Sequence, residues 1–307
     1  MEYILQTNGL VKKYKRHLAV NGANMNIARG DIYGFVGENG SGKTTIIRLI
    51  TGLIFPNQGE FTLFGAKNTD PAIYAARRKV GAIVETPSIY GNMSAYDNLK
   101  LQSSVLGISD EARIRQVLEE VGLAELYDNK KHAGDFSLGM RQRMGIAMAL
   151  LGEPEFLILD EPMNGLDPAG IVEIRELILR LNRERGITFL ISSHILTELQ
   201  LVATKYGIIS KGRIIREITE EQLRQECSRN TIIRTDKPAE LEALVSRLLP
   251  QHPVNPVAEG VKIIGEVNLN ALLGAIIGEN IQILSVNCTQ SSFEDYYLNL
   301  IGGGRNG

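Results

Sequence analysis

The run Gly37-Glu38-Asn39-Gly40-Ser41-Gly42-Lys43-Thr44-Thr45 spells GxxxxGK[ST]. It stands between an apolar stretch, Asp31 to Val36, and a helix-patterned one, Thr45 to Ile50, that Gly52 closes. A buried strand must therefore end in a glycine turn that opens a helix. Glycines 37, 40 and 42 let successive main-chain N–H groups curl into an anion nest, and the helix N-terminus adds its partial positive charge. In such a loop Lys43 reaches the β- and γ-phosphates of a nucleotide, and Thr44 offers its hydroxyl to Mg²⁺. Four fixed positions recur by accident in roughly one chain of this length in a hundred, and the flanking strand and helix make accident rarer.

Composition bounds what can surround that loop. The chain has 307 residues, 44% of them hydrophobic, which is enough for one large or two modest cores. A net charge of −2 is unlike the basic footprint of a nucleic-acid binder. The longest apolar runs, such as Met144 to Leu151, fall short of the roughly 20 residues that cross a bilayer, and Met1 to Gln6 lacks the basic and apolar regions of a secretion signal. Cys227 and Cys288 have no metal-ligand spacing and read as free thiols in a reducing cytoplasm.

Up to about residue 218, short apolar strands alternate with amphipathic helices, which predicts an α/β domain with a largely parallel sheet. Ile114, Val117, Leu118 and Val121 fall on one helix face ahead of Gly122, and a second helix over Ile171–Arg185 stops at Gly186. Strands are expected at 187–192 and 206–210, the latter turning at Lys211-Gly212 into a hairpin partner at 213–216. Thr219-Glu220-Glu221-Gln222 has capping-box spacing and starts a linker helix. Beyond it a smaller α+β unit is expected: strands at 231–234, 261–267 and 281–286, helices at 238–249, 269–277 and 293–301. A proline-rich loop at 252–256 and a flexible glycine-rich tail at 302–307 complete it. The domain boundaries are thus 1–218 and 219–307.

Phe156-Leu157-Ile158-Leu159-Asp160-Glu161 is an apolar strand that ends in two carboxylates. Alone it reads as a core strand with a solvated acidic end. Paired with the upstream loop, Asp160 holds Mg²⁺ directly or through water. Glu161, pointing the other way by strand alternation, polarises an attacking water. Just before that strand comes Phe136-Ser137-Leu138-Gly139-Met140, leading into an apolar helix. In isolation Ser137 is an ordinary helix cap.

At this point the chain resembles the nucleotide-binding subunits of ABC transporters, whose LSGGQ signature precedes the second acidic motif. The resemblance implies that Ser137 and Gly139 contact the γ-phosphate of ATP across a dimer interface; Phe136, Leu138 and Met140 depart from the signature. It further implies that Asp167, in Asn164-Gly165-Leu166-Asp167, lies near the partner's phosphate site. His194, in Ile191-Ser192-Ser193-His194, is implied to contact the γ-phosphate and water, and Tyr14, in Val11 to His17, to stack on adenine. The cations around Tyr14 also fit an RNA or anionic-lipid patch.

Where most ABC subunits carry a glutamine that touches Mg²⁺ and the water, this chain has Glu85, in Val84-Glu85-Thr86-Pro87. A carboxylate there ligates Mg²⁺ but adds negative charge beside the γ-phosphate. Glu85-Thr86-Pro87, and a last helix opening Ser292-Phe293-Glu294-Asp295, resemble the bacitracin and lantibiotic self-protection exporters.

The expectation is a P-loop ATPase of the ABC type: a parallel core sheet, an antiparallel β subdomain, a helical subdomain and a small α+β accessory domain. The resemblance implies an ATP- and Mg²⁺-dependent exporter subunit, dimerising head to tail. It would be cytoplasmic and held to the inner face of the membrane by a separate permease, with no nucleic acid and no metal cluster. A soluble ATPase acting on nucleic acid or ribosomes, and a small-molecule kinase, are the alternatives.

Overall fold

The computed structural model describes residues 2–227, 229–290 and 292–302. The chain divides into two compact units, Met1–Ile218 and Thr219–Gly307.

The first unit opens with β1 (Tyr3–Tyr14), β2 (His17–Ala28), β3 (Ile32–Val36), α1 (Lys43–Thr51), β4 (Gln58–Leu63), β5 (Ala66–Lys67), α2 (Ile73–Arg77) and β6 (Val80–Ile83). It continues with α3 (Ala95–Leu106), α4 (Ala112–Glu120), α5 (Leu138–Leu150), β7 (Phe156–Asp160), α6 (Pro168–Arg185), β8 (Thr188–Ser193), α7 (Leu196–Gln200), β9 (Lys205–Ser210) and β10 (Arg213–Thr219). Strands β2-β1-β4-β5 form an antiparallel sheet. A second sheet runs β10-β9-β3-β8-β7-β6, in which β9, β3, β8, β7 and β6 run parallel to one another. Lys211 and Gly212, both with positive φ, make the two-residue turn that folds β10 back beside β9.

Every residue of β3, β7 and β8 is buried, as a sheet covered on both faces requires. One contiguous core joins the two sheets through α1: Leu5 and Leu10 of β1, Met25 of β2, Phe35 of β3, Ile46 and Ile50 of α1, Phe61 of β4 and Ile158 of β7. Each such side chain removed from water contributes about 1.5–3 kcal/mol, so the helix after the glycine loop is anchored by the centre of the fold.

Local chemistry accounts for most helix ends and shifts a few from expectation. α1 begins at Lys43, two residues before the patterned run, because Gly42 at φ 114° is already its N-cap. α6 begins at Pro168, ahead of the expected Ile171, because the Asp167 carboxylate accepts from Gly170 N and Pro168 fits a first turn. α4 is capped by Val121, with left-handed Gly122 following. Its C-terminal end is gripped by arginines: Arg180 Nη2 donates to Glu120 O and Arg143 Nη1 to Gly122 O. Buried Arg113 of α4 in turn donates to Leu150 O and Leu151 O at the end of α5.

The second unit starts with α8 (Glu220–Glu226), whose capping box between Thr219 and Gln222 is complete. It continues with β11 (Arg229–Thr235), α9 (Pro238–Leu248), β12 (Val254–Val257), β13 (Gly260–Ile264), α10 (Leu269–Gly278), β14 (Ile283–Gln290) and α11 (Phe293–Gly302). The sheet order β12-β13-β11-β14, antiparallel throughout, is the split βαβ topology. Its core combines Ile233, Val261 and Ile263 with Leu241, Leu244 and Val245 of α9 and Leu272 and Ile276 of α10.

The loop expected at 252–256 is in part strand β12, which tolerates Pro256 because it lies at the sheet edge. The strand expected over 261–267 ends at Ile264, and the one at 281–286 is shifted to 283–290. Of the expected tail, all beyond Gly302 lies outside the described residues.

Candidate functional site

Parallel register brings three chain crossings together. Val36 pairs with Ser193 and Asp160 with Ser192, so the glycine loop after β3, Glu161 after β7 and His194 after β8 emerge at the same sheet edge. Ligands of open α/β sheets sit at these carboxyl ends.

The loop is shaped by close approach. A Cβ at Gly37 would lie 2.6 Å from Ile209 O, and one at Gly42 would lie 2.6 Å from Ala19 O. Ser41 N donates to Glu38 O at 3.1 Å, and Ser41 O accepts from Gly212 N at 2.8 Å, which pins the loop to the β9–β10 turn. Glu38, Asn39 and Gly40 face solvent, whereas Ser41 and Lys43 are buried. Thr45 is half-buried in the first turn of α1. The Lys43 ammonium donates to Gly37 O at 2.6 Å and Glu38 O at 3.3 Å and stands 3.3 Å from Glu161 Oε1.

Thr44 Oγ1 donates to Asp160 Oδ2 at 2.8 Å, and Ser192 Oγ donates to Asp160 Oδ1 at 2.5 Å. Asp160 is buried, with both oxygens satisfied by hydroxyls. Glu161 departs from the expected strand alternation: its φ is +52°, and its main-chain N–H donates to Ser192 Oγ at 3.0 Å. This left-handed turn, and not the pleat, separates the two carboxylates. It aims Glu161 Oε2 at His194 Nδ1, 2.7 Å away, and Oε1 at Lys43.

The arrangement fits a nucleoside triphosphate and a hard cation. The cradle is too tight for any side chain at positions 37 and 42, and buried Ser41 Oγ has no protein partner. Glu161 Oε1, buried and without a hydrogen bond, points into the same space. Thr44 and Asp160 supply oxygen donors of the kind Mg²⁺ takes, its remaining positions being filled by water and phosphate. Among the described residues, no group of three or more His, Cys, Asp or Glu side chains is placed to hold a metal ion.

The remaining expected residues lie apart from this centre. Ser137 caps α5, accepting from Met140 N at 3.2 Å, and Asp167 caps α6, accepting from Gly170 N at 3.1 Å. These two helix starts pack together: a Cβ on Gly165 would stand 3.3 Å from Leu138 Cδ2, and one on Gly139 3.9 Å from Leu166 Cδ2. Tyr14 is exposed at the end of β1, with Lys12 Nζ 5.3 Å from its ring centre. Glu85 is paired with Arg48, Oε1 to Nη2 at 2.6 Å, and not with Thr44 or Asp160.

Two residues of consequence were not singled out from the sequence. Ser192 sits silently in an apolar strand, and only the register with Asp160 could have marked it. Arg48 follows Thr44 by one helical turn, and that spacing was its signal.

A groove of about 1100 Å³ flanks Glu85, lined by apolar Val84, Pro87, Tyr74 and Val105 together with charged Arg77 and Asp110, among others. Tyr74 and Val105 are 70% and 73% exposed. Among the described residues no helix is long and apolar enough to cross a membrane.

A sequence profile described as ABC transporter matches residues 20–164. The bacitracin transport ATP-binding protein BcrA of Bacillus licheniformis is 40% identical over 309 aligned residues, covering 99% of this chain and 99% of its own length. The lantibiotic transport ATP-binding protein SrtF of Streptococcus pyogenes is 44% identical over 214 residues, covering 70% of this chain and 90% of its own. Among solved structures, the dimeric MJ0796, a bacterial ABC transporter cassette, superposes with a TM-score of 0.63 at 26% identity, covering 70% of this chain and 98% of its own. With a phosphate cradle, a hydroxyl–carboxylate pair and a half-buried glutamate at one sheet edge, and with relatives matched end to end, the chain belongs to the ATP-binding ATPase proteins of the ABC transporter family.

Proposed function

We propose that this chain is the ATP-hydrolysing subunit of an exporter for peptide antibiotics of the bacitracin or lantibiotic type, working as a head-to-tail dimer on a separate membrane permease. One observation carries the hydrolytic reading: Glu161 is held between Lys43 Nζ and His194 Nδ1, beside an Asp160 already fixed by Thr44 and Ser192.

Tyr14 stacks on adenine, and Gly37, Glu38, Asn39, Gly40, Ser41, Gly42 and Thr45 wrap the phosphates with main-chain N–H groups. Lys43 exchanges its carbonyl partners for the β- and γ-phosphate oxygens, which frees Glu161 Oε1 to accept a proton from the attacking water. His194 keeps Glu161 oriented through Nδ1 and turns its other nitrogen toward the γ-phosphate. Thr44, Asp160 and, once free of Arg48, Glu85 would hold Mg²⁺, which would neutralise charge on the phosphates. Ser137, Gly139 and Asp167 serve the partner's nucleotide, so closure needs a second copy. The MJ0796 cassette being dimeric, and the relatives being named for bacitracin and lantibiotic transport, support this assignment.

In this reading the groove flanking Glu85, which mixes apolar side chains with Arg77, Arg78 and Asp110, is where the permease docks, and the protein works at the inner face of the membrane. Hydrolysis on nucleic acid or ribosomes draws no support from relatives named as transport proteins.

Glu161→Gln keeps the size of the side chain and removes its basicity. ATP turnover should fall at least a hundredfold, with an ATP-dependent dimer accumulating on size exclusion. A Glu161→Gln protein that turns over ATP normally removes the residue from this role. Cells that gain no bacitracin or lantibiotic resistance from the chain together with its co-purifying permease would overturn the substrate assignment alone.

A further inference from the structure

Glu85 is where β6 gives way to the groove wall, and its backbone is left-handed at φ 65°. Glycine takes that conformation freely; a glutamate adopts it when its surroundings hold it there. Its carboxylate is paired with Arg48, whose Nη2 lies 2.6 Å from Glu85 Oε1. Arg48 stands one turn after Thr44 on α1, the spacing that stacks two side chains on one helix face, and Thr44 is the residue bonded to Asp160. The carboxylate is therefore held by a residue one helical turn from Thr44. On its other side Val84, Thr86 and Pro87 line the groove, and Pro87 is seated so tightly on α5 that a Cβ at Gly145 would come within 2.7 Å of it.

We propose that Arg48 is a positioning residue that competes with the Thr44–Asp160 end of the site for the Glu85 carboxylate. The proposal rests on the reading that Thr44 and Asp160 hold Mg²⁺. A neutral glutamine at position 85 would need no counter-charge. A carboxylate beside a triphosphate is repelled, so an alternative cationic partner gives it a stable place to wait. The pair is 38% and 60% exposed on its two sides, which makes it weak and easily broken.

The test uses the full chain without permease, a non-hydrolysable ATP analogue and Mn²⁺ in place of Mg²⁺, with the Mn²⁺ dissociation constant read by electron paramagnetic resonance. Arg48→Gln should bind Mn²⁺ about two- to fivefold more tightly, the range set by an exposed ion pair. Arg48→Lys, which keeps the charge, should stay near the parent. Loss of a positive charge near a cation also tightens binding by simple electrostatics, so the cycle with Glu85→Gln decides. In that background Arg48→Gln should change the constant by less than about 1.5-fold, because the carboxylate it released is gone.

Permease-free ATP turnover should follow the same pattern, rising with Arg48→Gln only where Glu85 is present. A gain that persists in the Glu85→Gln background, or no gain at all, overturns the role of Arg48 and leaves the metal site standing. A parent protein that binds no Mn²⁺ with the nucleotide overturns the metal site and this proposal together.

Discussion

Ser192 Oγ lies 2.5 Å from Asp160 Oδ1, and both side chains are buried at the ends of adjacent parallel strands. The same hydroxyl accepts from Glu161 N, so one side chain sets the direction of two consecutive carboxylates. Ser192→Ala leaves a buried carboxylate oxygen unpaired and the Glu161 N–H with only the Ser192 carbonyl, 3.2 Å away, at a cost of about 1–3 kcal/mol in urea unfolding with the slope unchanged. ATP turnover should drop about tenfold or more, which corresponds to roughly 1.4 kcal/mol. Ser192→Thr restores the hydroxyl and should recover most of both. An alanine variant with parental stability and turnover would show that strand pairing alone orients Asp160.

Gly42 meets two constraints at once: φ is 114°, and a Cβ would lie 2.6 Å from Ala19 O. Gly42→Ala must shift either β2 or the start of α1. Nucleotide binding, followed with a fluorescent ATP analogue, should be lost, and stability should fall by about 1–3 kcal/mol. Gly40→Ala, where nothing lies within 4 Å, carries only the strain of its φ of 79° and should retain measurable binding.

Arg113 joins α4 to the end of α5. Its buried guanidinium donates to Leu150 O at 2.5 Å and Leu151 O at 3.3 Å and reaches Glu120 Oε1 at 3.5 Å. Arg113→Met keeps the stem and removes the donors, which should destabilise the chain by about 2–3 kcal/mol. Hydrogen exchange should accelerate first in α4, whose other holds are Arg143 and Arg180. Uniform acceleration over the whole unit would count against α4 as the separable part.

Asp31 titrates against the usual trend. Burial raises its carboxyl above the ordinary range, opposed by the N–H of Ala28 and by Lys205, with Glu217 adding to the rise. A carboxyl whose folded pKa is raised contributes stability that is complete below its unfolded value of about 3.9 and is lost as pH climbs through the folded one. Asp31→Asn keeps an acceptor for Ala28 N and removes the charge. Relative to the parent it should therefore gain more at pH 7 than at pH 4, by urea unfolding at both. An equal change at the two pH values would remove the ionised carboxylate as its cause.

Legibility followed how local each signal was. The phosphate loop, the Asp160-Glu161 pair and the parallel α/β order were readable because each is written in adjacent residues or in a short period. Ser192 was not, since a serine in an apolar strand says nothing until pairing places it opposite Asp160. Arg48 and Glu85 are 37 residues apart, and no local pattern links an arginine in a helix to a glutamate after a strand. β12 was hidden by Pro253 and Pro256, which read as a loop unless the strand is known to lie at an edge. Strand alternation does not account for the direction of Glu161, because a left-handed residue does the turning.

Leu138 reaches across to the space over Gly165, so the first turn of α5 and the bend before α6 rest on one another. A second molecule approaching that face meets a single stamp with two raised points, and neither point can be pressed alone. A push on the first turn of α5 is therefore felt at the bend before α6, so the caps Ser137 and Asp167 shift together. In the dimer proposed above, that coupling, made by a leucine outside the chemistry, would disfavour half-engagement.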